Sequence, residues 1–354
     1  MAGRVSFHSL TVADVVELCD DAVAITFDVP AELGGEFDFR PGQSVTVRRI
    51  VDGVEQRRSY SLCARVGSPP RIGVREVSDG AVSTWLVRDV RPGDRIEVQP
   101  PRGSFTPDVD SAAHHVLIVA GSGITPALSI VSSVLANPGS RVTVLYGNRR
   151  TDTVMFADEL ADLKDRAPTR VELVHVLSRE PRQPEVFCGR LDAVKLRRLL
   201  PALGPVAGVD HWWLCGPYGM VVDAQQVLDE LDVPADRVHR ELFYVEDTAP
   251  PPAAHAEPAV DGPTSDVTVV LDGRRTTIPL PGDVSLLDGA QRVRPDLPFA
   301  CKGGVCGTCR ARVTDGAVDL RRNFALDPAE LAAGFVLTCQ SYATGAAVTI
   351  DFDA

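Results

Sequence analysis

The sequence lacks an excess of positive charge and any long apolar run. It has 36 Lys and Arg residues against 48 Asp and Glu residues, which gives a net charge of −12. Proteins that bind nucleic acid need basic surfaces to meet the phosphates, so we expect no nucleic-acid partner. No apolar run approaches the roughly 20 residues that span a bilayer, so we expect no membrane partner either.

The first residues, MAGRVSFHSLTVADVV, lack the features of a secretory signal, which are a charged segment followed by an apolar one and a cleavage site. We therefore expect a cytoplasmic protein.

Cysteine is sparse outside one short segment. The segment CKGGVCGTC, residues 301–309, nevertheless contains three of the eight cysteines. In the cytoplasm clustered cysteines are metal ligands or redox groups more often than disulfides.

Residues 1–108 predict an antiparallel β-barrel. Short runs rich in β-branched residues alternate with turn signals such as FRPGQ and RPGD. Several short strands at this spacing are typical of a barrel or a sandwich. One helical stretch, about residues 83–89, interrupts them. The predicted strands are VAITFDV, SVTVRRIV, SYSLCA, RIGVREV and DRIEVQ.

Residues 109–244 predict an α/β domain with a parallel sheet. Apolar strands such as HHVLIVA and VTVLY alternate with longer amphipathic segments. Ligands of such sheets bind at the carboxyl ends of the strands. The segments GSGITP, YGNR, SRE and CGPYGM stand at those ends.

The remaining chain predicts a linker and a third domain. Residues 245–264 are rich in proline and have no apolar period, so we interpret them as a linker. Residues 265–354 open with VTVVLDGRRTTIPL, in which Asp272-Gly273 predicts a hairpin turn.

Four cysteines of the last domain have the spacing of an iron–sulfur site. Cys301, Cys306, Cys309 and Cys339 form C-x4-C-x2-C-x29-C, the plant-type [2Fe–2S] pattern. Structural zinc, which prefers two paired knuckles, and disulfides remain open as alternatives. An iron–sulfur cluster carries one electron, whereas a flavin accepts the two electrons of a hydride and releases them one at a time. The pattern therefore predicts a flavin site and a nicotinamide site earlier in the chain.

Two motifs in the first domain resemble the flavin-binding pair of the ferredoxin–NADP reductase superfamily. They are RSYSL, which begins at Arg58, and GAVSTWL, which begins at Gly80. The resemblance implies FAD, with its phosphate bound by a guanidinium, its ring stacked on a tyrosine and its pyrophosphate at a helix start. The residues so implied are Arg58, Ser59, Tyr60, Ser61, Gly80, Val82, Ser83 and Thr84.

The second domain carries the matching nicotinamide motifs. The glycine loop GSGITP follows a strand and precedes a helix, so its backbone can approach phosphate. No acid occupies 146–150, the place of the ribose-binding acid of NAD proteins, and SRE resembles the 2′-phosphate site of the family, which points to NADP (NADPH). The residues assigned to the nucleotide are Gly121, Gly123, Thr125, Arg149, Ser178 and Arg179.

Two further segments imply the hydride path. In the family the cysteine of CGPYGM sits beside the nicotinamide ring, and the aromatic residue of the terminal E-x-F covers the flavin until nicotinamide displaces it. Here these are Cys215, shaped by Gly216 and Pro217, and the pair Glu241 and Phe243. With Ser61, which the family places near flavin N5, they are the expected catalytic residues.

The order of the domains resembles that of oxygenase reductases. The resemblance implies a multidomain chain with a flavin β-barrel, an α/β nicotinamide domain and an α+β β-grasp ferredoxin domain. It implies that electrons pass from NADPH through FAD and the [2Fe–2S] cluster to a separate diiron oxygenase. The alternatives are the reductase of another oxygenase, and a flavin reductase with a zinc-bearing interaction module.

Overall fold

The computed structural model describes residues 6–243, 264–326 and 328–354. The described residues fall into two compact units, one covering Ser6–Phe243 and the other the residues from Thr264 onward. The predicted linker at 245–264 lies outside the described residues except for Thr264. No described helix is long and apolar enough to cross a membrane.

The first unit begins with a six-stranded antiparallel sheet in the order β4-β3-β6-β1-β2-β5. A bridge between Leu62 and Ile72 joins its two edges, so the sheet closes into the predicted barrel. Strand β1 was missed because only Leu10 and Val12 are buried along it, which leaves no clear alternation. The elements are β1 (His8–Cys19), β2 (Ala22–Asp28), β3 (Ser44–Val51), β4 (Val54–Ser61), β5 (Arg71–Arg75), α1 (Ala81–Arg88) and β6 (Arg95–Val98).

A five-stranded parallel sheet in the order β11-β10-β7-β8-β9 completes this unit, as the alternating pattern predicts. The sheet is covered on both faces, which explains the continuous apolar run of β7. The elements are β7 (His114–Ala120), α2 (Ile124–Val134), β8 (Arg141–Asn148), α3 (Ala157–Arg166), β9 (Val171–Leu177), α4 (Ala193–Ala202), β10 (His211–Cys215), α5 (Tyr218–Glu230) and β11 (Val238–Glu241).

Helix α2 ties the parallel sheet to the barrel. Almost every residue of α2 is buried, because it lies between the sheet and the barrel. The Ser129 hydroxyl donates to the carbonyl oxygen of Ala64 at 2.6 Å, and the Ser133 hydroxyl accepts from the backbone N–H of Val66 at 3.1 Å. These bonds satisfy polar groups in an apolar contact. The barrel residues Ala22, Ala24 and Cys63 join the core cluster of α2, while the rest of the barrel interior forms a cluster of its own.

A buried histidine lies near the start of β7. His115 is 0% exposed, and its Nδ1 accepts a hydrogen bond from Trp213 Nε1 at 3.2 Å. Its Nε2 has no hydrogen-bond partner among the described residues. Burial, assisted by the charge of neighbouring His211, lowers the pKa of His115 to about 4. His115 therefore has a structural role in the core.

Because His115 is buried and neutral, we expect the protein to lose stability in acid. Because the pKa of His115 lies below its ordinary 6.5, protonation favours the unfolded chain as the pH falls from about 6.5 toward 4. Between pH 7 and pH 5 we expect the free energy of unfolding to fall by about 2 kcal/mol more in the parent than in His115→Gln. Urea denaturation at both pH values measures the difference. An equal pH dependence in the two proteins would contradict it.

The second unit is a mixed sheet of the β-grasp type, in the order β13-β12-β16-β14-β15. Strand β12 runs parallel to β16, and the other pairs are antiparallel. The predicted turn at Asp272-Gly273 is present, with φ of 52° and 68°, and the Asp353 carboxylate accepts both backbone N–H groups at 2.8 Å. The elements are β12 (Thr264–Leu271), β13 (Arg274–Pro281), α6 (Leu286–Ala290), β14 (Arg310–Leu320), α7 (Pro328–Ala332), β15 (Phe335–Leu337) and β16 (Ser341–Asp351).

Candidate redox sites

The RSYS motif forms the end of β4. Arg58 is exposed, its guanidinium donates to the carbonyl oxygen of Arg57 at 2.7 Å, and no carboxylate pairs with it in the described part of the chain. Tyr60 packs on the barrel core, and burial raises the pKa of its hydroxyl. Ser59 lies between them, partly exposed. A guanidinium without a carboxylate partner beside a half-buried ring fits the phosphate and the ring system of a flavin nucleotide.

The second flavin motif starts helix α1. Gly80 is the N-cap residue, and a Cβ added there would meet Ser83 Oγ at 2.3 Å. The hydroxyl of Ser83 is buried and accepts from the backbone N–H of Val77 at 3.2 Å, so it stabilises the turn. Val82 is buried and Thr84 partly exposed. The backbone N–H groups of the first turn remain available for phosphate, whereas the Ser83 hydroxyl is already used.

Three of the expected catalytic residues lie close together although they are far apart in the sequence. They are Ser61, Glu241 and Cys215. The Ser61 hydroxyl donates to Glu241 Oε2 at 3.2 Å. Strands β10 and β11 are paired so that Cys215 stands opposite Glu241. Burial raises the pKa of Glu241 to about 7, with the Ser61 hydrogen bond acting in the opposite direction. A carboxyl group with this pKa exchanges protons readily near neutral pH.

Cys215 and the fourth predicted residue of the hydride path, Phe243, belong to the same part of the core. Burial, assisted by the charge of Glu241, raises the pKa of the Cys215 thiol, so Cys215 is a neutral thiol. Phe243 packs, partly buried, on the same core cluster as Cys215. The structure therefore brings the four expected catalytic residues to one end of the parallel sheet.

Two glycine loops pack tightly at this edge. A Cβ added at Gly123 would lie 2.2 Å from the carbonyl oxygen of Cys215, and one at Gly216 would lie 2.7 Å from the Met220 side chain. Gly121 has φ of +56°. Pro217 is the N-cap residue of α5, and the Thr125 hydroxyl donates to the Ser122 carbonyl oxygen at 2.9 Å. These loops need glycine because a side chain would collide with the neighbouring segment.

The predicted 2′-phosphate residues lie beside one another at the ends of β8 and β9. The backbone N–H of Ser178 donates to the Asn148 carbonyl oxygen at 2.9 Å, and that of Arg179 donates to the Arg149 carbonyl oxygen at 2.8 Å. Arg149 and Arg179 are both exposed. The nearby Glu180 carboxylate accepts from the N–H and the hydroxyl of Thr151, which lowers its pKa. Two guanidinium groups and a hydroxyl suit a phosphate.

The four cysteines of the second unit form two pairs. The Cys306 thiol contacts that of Cys301, and the Cys309 thiol contacts that of Cys339. In the described residues no three His, Cys, Asp or Glu side chains converge on a single metal position. Structural zinc needs its four ligands around one ion, whereas a two-iron cluster takes two thiolates at each iron. The pairs therefore fit a [2Fe–2S] cluster.

The loop around the cysteines is shaped for such a cluster. Gly304 and Gly307 have φ of 81° and 66°, and the Gly303 N–H donates to Cys301 Sγ at 3.3 Å. The Gln340 side chain donates to the Lys302 carbonyl oxygen at 2.8 Å, which links this loop to the segment of the fourth cysteine. Backbone N–H groups that point at thiolates stabilise their negative charge.

The family comparisons agree with these sites. Residues 9–106 match the oxidoreductase FAD-binding domain, 117–226 the oxidoreductase NAD-binding domain, and 269–344 the 2Fe-2S iron-sulfur cluster binding domain. The chain belongs to the iron–sulfur flavoprotein reductases of the ferredoxin–NADP reductase superfamily that are components of oxygenases. FAD, a pyridine nucleotide and a [2Fe–2S] cluster are its cofactors, and the zinc alternative is not supported.

Two relatives cover almost the whole chain. It is 40% identical over 99% of its length to a subunit of the 1,2-phenylacetyl-CoA epoxidase of Escherichia coli, and covers 98% of that protein. It is 35% identical over 94% to the ferredoxin reductase component of 3-ketosteroid-9-alpha-monooxygenase of Rhodococcus rhodochrous, and covers 93% of it. Among solved structures, phthalate dioxygenase reductase matches with a TM-score of 0.63, 23% identity and 98% coverage of both chains, which shows the fold alone.

Sequence reasoning missed two polar side chains near the nucleotide residues. Asn148 ends β8 and His175 lies in β9, and each has buried polar atoms without a hydrogen-bond partner among the described residues. Asn148 stands in YGNRR, the segment of Arg149, but the sequence analysis assigned it no role. That these polar atoms are buried without hydrogen-bond partners can be seen only when burial and hydrogen bonds are both known from the structure.

Proposed function

We propose that this chain is the reductase subunit of a phenylacetyl-CoA epoxidase. Electrons would pass from NADPH to FAD, then to the [2Fe–2S] cluster, and then to a separate diiron oxygenase that epoxidises the aromatic ring. The observation that carries the proposal is the 40% identity to the Escherichia coli protein over 99% of the chain. Segments such as PFACKGGVCGTCRARV and LDPAELAAGFVLTCQ carry this resemblance.

The proposed division into domains follows the same scheme. Residues 1–108 would bind FAD, 109–244 the nucleotide and 265–354 the cluster, with 245–264 as the linker. The matched family regions fall within these ranges. A cytoplasmic location is part of the proposal, and it is supported by the eight cysteines, none of which forms a disulfide.

The chain's own groups would perform distinct tasks in hydride transfer. Bound FAD supplies hydride acceptance and the release of electrons one at a time. Arg58 would hold its phosphate and Tyr60 would stack on its ring. Ser61 would place a hydroxyl beside the hydride-accepting atom, and Glu241 would exchange a proton through that hydroxyl over their 3.2 Å hydrogen bond.

Two groups near the nucleotide would control its access. Phe243 would exclude water from the flavin face until the nicotinamide ring arrives. Cys215, a buried neutral thiol, would contact that ring without adding charge.

NADPH is proposed over NADH because of the charges at the ends of β8 and β9. Ser178, Arg179 and Arg149 offer a hydroxyl and two cations to a 2′-phosphate. The carboxylate of Glu180 is engaged by Thr151 through two hydrogen bonds of 2.7 and 2.9 Å, so it is not available as a ribose ligand. We expect kcat/KM for NADPH to exceed that for NADH in steady-state assays.

Reconstitution tests the choice of oxygenase. The purified protein is mixed with the phenylacetyl-CoA oxygenase or with the ketosteroid 9α-oxygenase, and NADPH oxidation and product are followed together. The proposal predicts product formation only, or far faster, with the phenylacetyl-CoA oxygenase. Efficient turnover with the ketosteroid oxygenase alone would favour the alternative function, a reductase of a ketosteroid oxygenase. The 35% identity to that reductase is the reason to test it.

A further inference from the structure

The segments that build the cysteine site contain cations and no acids. Residues 297–314 hold the first three cysteines and three cations, residues 320–326 hold two cations, and residues 335–348 hold the fourth cysteine and no charged residue. In the whole chain, by contrast, acids outnumber bases by 48 to 36. The sequence around the cysteines therefore has the opposite sign of charge from the chain as a whole.

The segment RRNF, which follows β14, is anchored by hydrogen bonds to both cysteine segments. The backbone N–H of Arg321 donates to the carbonyl oxygen of Gln340, the residue after the fourth cysteine, at 3.0 Å. The backbone N–H of Phe324 donates to the Gly304 carbonyl oxygen in the cysteine loop, also at 3.0 Å. A Cβ added at Gly304 would lie 3.3 Å from the Arg322 carbonyl oxygen. These contacts place both arginines beside the cysteine loop.

Three cations near the cysteines each have an acid partner and an aromatic ring beside them. The ion pairs are Lys302–Asp288, Arg310–Glu330 and Arg321–Asp319. The three charged groups lie 4.8, 4.2 and 3.5 Å from the centroids of the Phe299, Phe335 and Tyr342 rings, in that order. The rings and the acids hold these cations in place, and the acids balance their charge.

Arg322 has no such acid. It is exposed, and its guanidinium forms no ion pair with any residue of the ranges 6–243, 264–326 and 328–354. A guanidinium in this state is free to bind a carboxylate of another molecule in a two-pronged contact. Arg322 therefore gives the surface beside the cysteine loop its uncompensated positive charge.

The cations do not serve to neutralise the thiolates directly. The thiolate position at Cys301 receives a backbone N–H, that of Gly303 at 3.3 Å. Within the described part of the second unit, no lysine or arginine side chain donates to a cysteine sulfur, and Lys302 donates to Asp288 instead. A role toward a molecule outside the chain accounts better for an exposed cation at this place.

We propose that a basic rim, formed by Lys302, Arg310, Arg321 and Arg322, is the surface on which the separate oxygenase docks, and that it receives an acidic face of that protein. The inference rests on the proposed function, which supplies the partner. A tethered domain meets its donor at high effective concentration, so transfer within the chain gains little from charge. A separate partner must be found by diffusion, and complementary charge speeds that encounter and fixes its orientation.

Binding of the phenylacetyl-CoA oxygenase to the full-length protein, measured by calorimetry at low salt, tests the rim directly. We expect Arg322→Glu to raise Kd by about tenfold and Arg322→Lys to keep the affinity of the parent. Arg275→Glu is the matched control, because Arg275 is also exposed and lies in β13, at the opposite edge of the sheet from β15. Unchanged binding by Arg322→Glu, or equal weakening by both reversals, would overturn the docking surface.

Stopped-flow absorbance separates docking from transfer within the chain. Raising the ionic strength from about 0.01 M to about 0.15 M shortens the Debye length from about 30 Å to about 8 Å. Electron transfer to the oxygenase should therefore slow in the parent and change far less in Arg322→Glu. Reduction of the cluster by NADPH and the midpoint potential of the cluster should be the same in both proteins. Slower cluster reduction or a shifted potential, with intact oxygenase binding, would overturn the proposal and assign Arg322 to the cluster itself.

A matched pair of acceptors distinguishes failure of this inference from failure of the proposed function. Cytochrome c is basic, and its succinylated form carries carboxylates in place of the lysine charges around the same haem. The rim predicts that salt slows reduction of the succinylated form by the parent and that Arg322→Glu loses this dependence. If the parent shows this behaviour but does not bind the phenylacetyl-CoA oxygenase, the proposed oxygenase is wrong and the rim is supported. If reduction of the succinylated form is the same in the parent and in Arg322→Glu at every salt concentration, the rim is overturned.

Discussion

Replacing Cys309 with serine is expected to abolish electron delivery to the oxygenase while NADPH oxidation with a flavin-level acceptor such as ferricyanide continues. Cys309 is 3% exposed and contacts Cys339, so serine cannot restore the thiolate pair at that iron. The flavin and nucleotide residues all lie in the separate unit Ser6–Phe243, which has its own core. The loss should therefore be confined to the electron-transfer steps that involve the cluster.

Visible absorbance and iron content of the purified variant measure this effect. Cys19→Ser is the matched control, because Cys19 donates to the Asp21 carboxylate at 3.2 Å, a bond that serine also forms. The control should keep full iron content and full product formation. Normal iron content and normal oxygenase turnover in Cys309→Ser would contradict the assignment of the four cysteines.

Replacing Glu241 with glutamine is expected to lower kcat by about 10² to 10⁴, the range for loss of a general acid–base group. Burial raises the pKa of Glu241 to about 7, so its carboxyl group changes protonation near neutral pH. As a proton acceptor at the Ser61 hydroxyl it works only when ionised. The kcat of the parent should therefore rise with pH through about 7, and Glu241→Gln should remove that rise.

Stopped-flow and steady-state pH profiles measure this prediction. Glu230→Gln is the control, since Glu230 is exposed on α5 and the Arg197 guanidinium holds its pKa at about 2. Ser61→Ala should reduce kcat as well and weaken the pH dependence, because the Ser61 hydroxyl donates to Glu241 and, in the proposed site, would link this carboxyl group to the reacting atom. A Glu241→Gln protein with the parent's kcat and pH profile would show that the buried carboxyl group does not take part.

Much of the architecture was predictable because its signals are local. The apolar run of β7 followed by GSGITP predicts a strand, a phosphate loop and a helix, and the structure has β7, the glycine turn and α2 in that order. The cysteine spacing likewise predicts one loop with a distant fourth ligand. Strand β1 was not predicted because only two of its twelve residues are buried and its exposed and half-buried positions do not alternate, so burial does not impose a period of two on its sequence.

Contacts between segments that are distant in the sequence were harder to predict from the sequence. The hydrogen bond between Ser61 and Glu241 joins the barrel to the last strand of the parallel sheet, and only the resemblance placed both residues at one site. The use of the Ser83 hydroxyl within its own turn, rather than for phosphate, depends on the conformation at Gly80. The unmet groups of Asn148 and His175 require a count of hydrogen bonds in three dimensions.

An anaerobic titration with NADPH, followed by visible absorbance, measures electron transfer from the nucleotide through the flavin to the cluster. We expect the flavin and cluster bands both to bleach, because electrons enter at the nicotinamide site and reach the thiolate pairs of the second unit. Bleaching of the flavin alone, or a protein without a cluster band, would contradict electron transfer from flavin to the four cysteines.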